Sequence, residues 1–156
     1  MSNGIVVAKA PGVRQPKVAL LAAADRVLPK LPVTVEIAEI VAVRERWSPE
    51  GALVDGPFRL DTAASPQIAR ERGRDGAVTG HDKMLVGPDV ESVNIMATGT
   101  TCFAGGRMAG VIVGGRSPLV VSSHPDPLQT RLVSITAGAS LAATWDREAG
   151  EPTSAQ

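Results

Sequence analysis

The stretch GAVTGHDKMLVGPDVESVNIM (residues 76–96), continued by FAGGRMAGVIVGG (103–115) and RSPLVVSSHPDPLQTRLVSI (116–135), decides the fold. It holds three short apolar runs, Met84 to Val86, Gly110 to Val113 and Leu119 to Val121. Each is too short for a helix and is followed by Gly, Pro, Ser or Asp, so each reads as a buried strand. The first run leads into Gly87-Pro88-Asp89 and the third into Ser122-Ser123-His124-Pro125-Asp126. Helical periodicity follows both, so polar groups collect where strands hand over to helices. In open α/β sheets ligands bind at those carboxyl ends, and a site in this chain is expected there.

The flanking sequence extends the same alternation. Residues 1–15 carry Gly4, Pro11 and Gly12 and read as a lead-in, with Ile5 to Ala8 as a short edge strand. Val18 to Ala24 reads as a strand that turns at Asp25. Thr34 is placed to cap a helix whose Ile37, Ile40, Val41 and Arg44 share one face as far as Trp47. Ala52 to Val54 reads as a strand ending at Asp55-Gly56-Pro57. Leu60, Ala63, Ala64 and Ile68 then mark one helix ending near Arg72-Gly73, with Arg70 to Asp75 as its solvated end. The last helix runs from about Pro127 to Ala143 with Leu128, Leu132, Ile135 and Leu141 inward. Strands alternating with helices predict a three-layer αβα domain with a largely parallel sheet over residues 16–145, and a polar tail over 146–156. A flavodoxin-like sheet is the rival arrangement.

Composition narrows the function. The 156 residues are 44% hydrophobic but only 3% aromatic, so the core must be built from Val, Leu, Ile and Ala. Lys plus Arg equals Asp plus Glu at 16 each, with no basic run, which argues against nucleic-acid binding. Stacking on exposed bases would need aromatics that the chain lacks. The single Cys102 excludes an intrachain disulfide and reads as a buried structural thiol in its apolar setting. His81 and His124 show no metal-ligand spacing with the carboxylates, and Gly105-Gly106 and Gly114-Gly115 are not phosphate loops, since no Lys-Ser/Thr follows. With neither a leader pattern nor a membrane-length apolar run, a cytoplasmic protein is expected.

Six blocks, in order and with compatible spacing between about residues 16 and 143, resemble the phosphate acetyl/butyryltransferases. They are Pro16 to Leu21, Pro29 to Val33, Val54-Asp55-Gly56-Pro57 with Leu60-Asp61, Val86 to Asn94, Ala109 to Gly114, and Ser122 to Ile135. The final block fits the branched-acyl (butyryl) type without a gap. The resemblance implies transfer of an acyl group between coenzyme A, as substrate, and phosphate, with no resident cofactor. It also implies a fold of two α/β domains with the active site in their cleft, of which this chain resembles the C-terminal part. The other half would then come from a separate N-terminal-half subunit or an oligomer. The alternative is a non-catalytic subunit that binds acyl-CoA or acyl phosphate, or serves assembly.

Site candidates follow from the same resemblance. Ser123 and Asp126 match the Ser and Asp of the family's last motif, and His124 stands where that motif has Arg. The exchange matters, because Arg offers a permanent charge and a bidentate fork while His is largely neutral at pH 7. Asp126 or His124 is the candidate base for the coenzyme A thiol, and Ser123 a hydroxyl donor; each residue also suits a turn or helix cap. Asp61, Asp89 and Asn94 are the substrate-binding candidates, with Asp89 equally suited to cap a helix. Val93 stands where the family has Gly, a change that would keep the backbone from approaching a ligand closely. A homodimer or heteromer is expected, with Val133, Ala137 and Leu141 in its interface.

Overall fold

The computed structural model describes residues 1–47, 51–80, 83–121 and 127–150. Their contacts divide into two compact units, one spanning Val13–Met96 and the other comprising Asn3–Gly12 with the chain from Ala97 onward.

The first unit holds the sheet. Strands β1 (Lys17–Leu21), β2 (Leu53–Phe58) and β3 (Lys83–Val86) lie in the order β2-β1-β3, and both pairings are parallel. The sheet is flanked by helices, as the alternating pattern predicts, and the protein is of the α/β class. Central β1 is almost wholly buried, which suits its unbroken apolar run Val18-Ala19-Leu20-Leu21. Val18 pairs with Val54 on one side and Met84 on the other.

Strand β2 does not end at Asp55-Gly56-Pro57 but runs on to Phe58, with a register shift against β1 between Ala19 and Leu21. Pro57 is tolerated because β2 is an edge strand of the sheet and has no ladder on its far side. Gly56 is required there: an added Cβ would stand 2.8 Å from the Leu20 carbonyl oxygen. Ala19, Leu21, Phe58, Ala63 and Val78 form the core, with Leu53, Leu85 and Met96 packed against it.

Helix α2 (Pro32–Ala42) begins two residues before the expected cap, with Pro32 in its first turn. Thr34 is buried; its hydroxyl accepts from the Leu28 N–H and has the Leu31 and Leu28 carbonyls, at 2.8 and 3.0 Å, as acceptors for its one proton, so it ties down the preceding loop. A 3₁₀ turn over Arg44–Trp47 ends this segment. The helix expected over 60–72 is two pieces, α3 (Leu60–Ala64) and α4 (Pro66–Glu71). Ser65 precedes a proline and is therefore extended, and its Oγ caps α4 by accepting from the Ile68 N–H at 3.3 Å.

In the second unit the apolar run Ile5 to Ala8 lies within helix α1 (Ser2–Lys9), not in an edge strand, with Ile5 fully buried. A short apolar run is ambiguous between the two states, and no ladder partner is offered to this one. Helix α5 (Val90–Ala104) starts in the first unit and ends in the second. Cys102 is exposed on it, which corrects the expectation of a buried thiol; no residue of α5 is buried. The runs at 110–113 and 119–121 add no strands to the sheet. They pair with each other through one antiparallel bridge, Ile112 with Leu119, closed by hydrogen bonds of 2.8 and 2.9 Å. So short a connection permits only antiparallel pairing, since parallel strands need a crossover of a dozen or more residues.

Helix α6 (Leu128–Gly150) buries Ser134, Gly138 and Leu141, while Leu128, Leu132 and Ile135 face outward. Ser134 Oγ donates to the Thr130 carbonyl and accepts from the Gly110 N–H at 3.0 Å. Gly138 lets Val120 lie against the helix, where a Cβ would come within 2.5 Å of its methyl group. Leu141, expected at an interface between chains, is buried within this one.

Candidate functional site

From β1 the chain crosses first to β2 on one side and later to β3 on the other, so the switch point lies at the carboxyl end of β1. A cleft of about 340 Å³ opens there. Leu21 and Ala22 come from the end of β1, Gly87 and Pro88 follow β3, and Val93 and Met96 come from the first turns of α5. Val33 and Leu60 complete a mostly apolar wall. Beside it a shallow depression shares Ala22, Ala23 and Leu60 and adds Arg59 and Asp61.

Asp61, a substrate-binding candidate, is therefore at the carboxyl edge, but it is already engaged. Arg72 grips it with two hydrogen bonds, 2.8 Å from Nη1 and 2.7 Å from Nη2. Arg59 adds contacts of 3.2 and 3.4 Å, and the Thr62 N–H donates at 2.9 Å. Arg72, then Arg59 and the Thr62 amide, hold the Asp61 carboxyl well below the usual carboxylate range. Asp25, just past β1, extends the network. Its carboxylate accepts from the Arg59 N–H, the Thr62 hydroxyl and Arg72 Nη1. Two carboxylates thus face two guanidinia. Arg59 spends Nε and Nη2 on Asp61, and its side chain is half-exposed.

Asp25, Arg59 and Arg72 are not candidates from the sequence. Arg72 falls in the charge-rich stretch read as a solvated helix end, and only the break at Ser65-Pro66 turns α4 so that its last residues reach Asp61. A signal was present in the acidic and basic residues following successive strands, but their pairing is a tertiary fact.

Asp89 caps α5. Its Oδ1 accepts from the Ser92 N–H at 2.7 Å and its Oδ2 from the Ser92 hydroxyl at 2.9 Å. Those two bonds, the backbone one first, hold its carboxyl below the ordinary value. Of the two readings open for Asp89, the cap is the one occupied. Asn94 is exposed on α5 and lines neither cavity. Val93 borders the cleft and lies against Gly87, whose missing side chain leaves the space that the Val93 methyl fills. The catalytic candidates Ser123, His124 and Asp126 lie outside the described residues, as does His81. Among the described residues no group of three or more His, Cys, Asp or Glu is placed to hold a metal ion, and no helix is long and apolar enough to cross a membrane.

A family model described as phosphate acetyl/butaryl transferase matches residues 2–137. The chain is 36% identical over 143 residues to a phosphate acetyltransferase of Rhizobium meliloti, covering 92% of this chain and 45% of that protein. It is 34% identical over 143 residues to a phosphate butyryltransferase of Clostridium beijerinckii, covering 92% and 47%. The crystal structure of a branched-chain phosphotransacylase from Enterococcus faecalis V583 matches with a TM-score of 0.80 at 30% identity, over 90% of this chain and 51% of that one. The chain thus spans about half the length of the relatives it matches. With a sequence match over most of its length and a parallel sheet carried in the same fold, the chain belongs to the phosphate acetyl/butyryltransferase family.

Proposed function

We propose that this chain takes part in acyl transfer between coenzyme A and phosphate, with the cleft at the carboxyl ends of β1 and β3 receiving the acyl group. The observation that carries this reading is the cleft itself, an apolar pocket at the switch point of a sheet in an acyltransferase family. Leu21, Val33, Leu60, Val93 and Met96 suit a short aliphatic chain, and Arg59 lines the neighbouring depression. In the reaction the coenzyme A sulfur forms a bond to the acyl carbonyl carbon, the bond from that carbon to the phosphate oxygen breaks, and the thiol proton passes to a base. Asp61 is a poor base, because two arginines keep it ionised far into acid. Its part is to fix Arg59 and Arg72. Asp126 or His124 remains the base, with Ser123 as hydroxyl donor. Coenzyme A is a substrate here and no resident cofactor is invoked.

The relatives are about twice as long, and we place a separate N-terminal-half subunit, or a second copy of this chain, across the cleft, in the cytoplasm. The test is release of coenzyme A from butyryl-CoA in phosphate buffer, measured for the full chain alone and mixed with the N-terminal half of a matching relative. Turnover in either arm supports acyl transfer. Binding of butyryl-CoA with no turnover in both arms would sink it in favour of a second reading, a non-catalytic acyl-CoA-binding or assembly subunit. That second reading is favoured by one observation, the engagement of both Asp61 and Asp89 in structural bonds.

A further inference from the structure

Val93 is the part of the cleft wall that the structure holds most firmly. The Asp89 carboxylate caps α5 through Ser92, and the Asp89 carbonyl accepts from the Val93 N–H at 3.3 Å. The backbone of Val93 is thereby fixed at the start of the helix. A β-branched side chain on a helix has one dominant χ1 rotamer, so its two methyl groups are fixed as well. One of them occupies the space beside Gly87, where any added Cβ would run into it. The remaining wall is of a different kind. Leu21 is buried and Met96 packs against the core, so these two close the inner side of the cleft. Leu60 and Val93 are exposed and border its open side. All four lie within the unit Val13–Met96.

The two kinds of wall select differently. Met96 is unbranched and flexible, and it gives way to a longer chain by changing rotamer. Val93 has no such freedom, so a guest that needs its space must displace the first turn of α5 or stay out. A straight acyl chain can run past such an edge, whereas a methyl branch widens the chain where the edge stands. We infer that Val93 is a specificity-determining residue of the cleft, a rigid edge that admits straight acyl chains and rejects branched ones. The inference rests on the reading that the cleft receives the acyl group, and it holds whether the chain transfers that group or only binds it.

The experiment is calorimetric titration of the full chain with valeryl-CoA and with its isomer isovaleryl-CoA, free coenzyme A serving as reference. The isomers contain the same atoms, so the ratio of their affinities isolates shape. Wild type should bind valeryl-CoA about tenfold or more tighter, the scale on which an apolar pocket rejects an ill-fitting methyl group. Val93→Ala removes both methyl groups and keeps a strong helix former, and should bring the ratio to within about threefold. In the double variant Gly87→Ala/Val93→Ala the new Cβ at 87 stands 3.6 Å from the Cβ at 93, an ordinary contact, and refills the space, so the preference should return in part. Val90→Ala, exposed on the same helix and outside the cleft, should behave like the wild type. The melting temperature of Val93→Ala should stay close to that of the wild type, since Val93 is exposed. A wild type that binds both isomers alike but more tightly than coenzyme A, or a Val93→Ala variant that keeps the full preference, would overturn the role of Val93 and leave the acyl group in the cleft. Equal affinity for coenzyme A and both isomers, or no binding of any of them, would overturn both, and acyl transfer would then be judged by coenzyme A release alone.

Discussion

The two units solve the problem of burial differently. In Val13–Met96 strands β1 and β2 bury Val18, Leu20, Leu21, Val54 and Phe58, with Val18 at 0% exposure and Phe58 at 1%, while Leu53 and the β3 residues Met84, Leu85 and Val86 are half-buried. The unit from Ala97 onward hides Leu141 but leaves Phe103 at 93% and Leu128 at 72%, and shows Ile112, Leu119, Val121, Leu132 and Ile135 to solvent as well. The first has a sheet whose central strand is sandwiched on both edges. The second has helices and one isolated bridge, so its apolar residues find few partners. Burial of apolar area stabilises by about 25 cal/mol per Å². The first unit therefore supplies most of the folding free energy, and the second offers a surface of the kind that protein partners cover.

That contrast can be broken most directly at Phe58. Phe58→Ala empties the centre of the sheet unit and should cost about 3–5 kcal/mol in urea denaturation. A loss under about 1 kcal/mol would mean that this core is not what holds the fold. In the second unit the sharper probe is Gly138. An unhindered Gly→Ala change within a helix stabilises by about 1 kcal/mol. Here the added methyl meets Val120, so Gly138→Ala should instead destabilise by about 1–3 kcal/mol. A rise in melting temperature would remove the α6 packing from the account.

Charge at the carboxyl edge should matter less, and in a pH-dependent way. Asp61 is held below its ordinary value of 3.8 in the folded state. Above that value it is ionised in both states and the Arg72 pairing stabilises the fold in full. As the pH falls below it the unfolded chain takes up the proton first, and the contribution fades. Asp61→Asn should be less stable than wild type at pH 7, and the gap should narrow steadily as the pH is taken into acid. A gap that stays constant would mean the carboxylate charge is not involved. The smallest effect is expected at Phe103. Phe103→Ser should change stability by no more than about 0.5 kcal/mol, because that residue is 93% exposed. If light scattering shows an assembly that this change dissociates, the exposed unit is where the partner sits.

Local signals carried part of the result. The apolar runs at 18–21 and 84–86, each closed by turn residues, specify buried strands, and their alternation with helical periodicity specifies an α/β sheet. Asp89 as a helix cap was legible, since a cap depends on residues only a few positions away. What failed depended on distant partners. The run at 110–113 is as strand-like as that at 84–86, but only the latter finds β1 to pair with. In α6 the periodicity selected Leu128, Leu132, Ile135 and Leu141; of these only Leu141 is buried, and its companions on the buried face are Ser134 and Gly138. A helix wheel measures which side is most apolar, whereas burial goes to the side that another segment can approach, and Gly138 and Ser134 admit Val120 and the Gly110 amide.

The chain by itself therefore determined its α/β class, its parallel sheet and its family, because these reside in short apolar runs, turn residues and spaced motifs. Tertiary structure alone decided that Arg72 would neutralise Asp61 and that Val93 would stand against Gly87 in the cleft. Those outcomes join residues across loops whose paths depend on packing. The energy of an ion pair or an apolar contact depends on a separation in space that sequence distance does not encode.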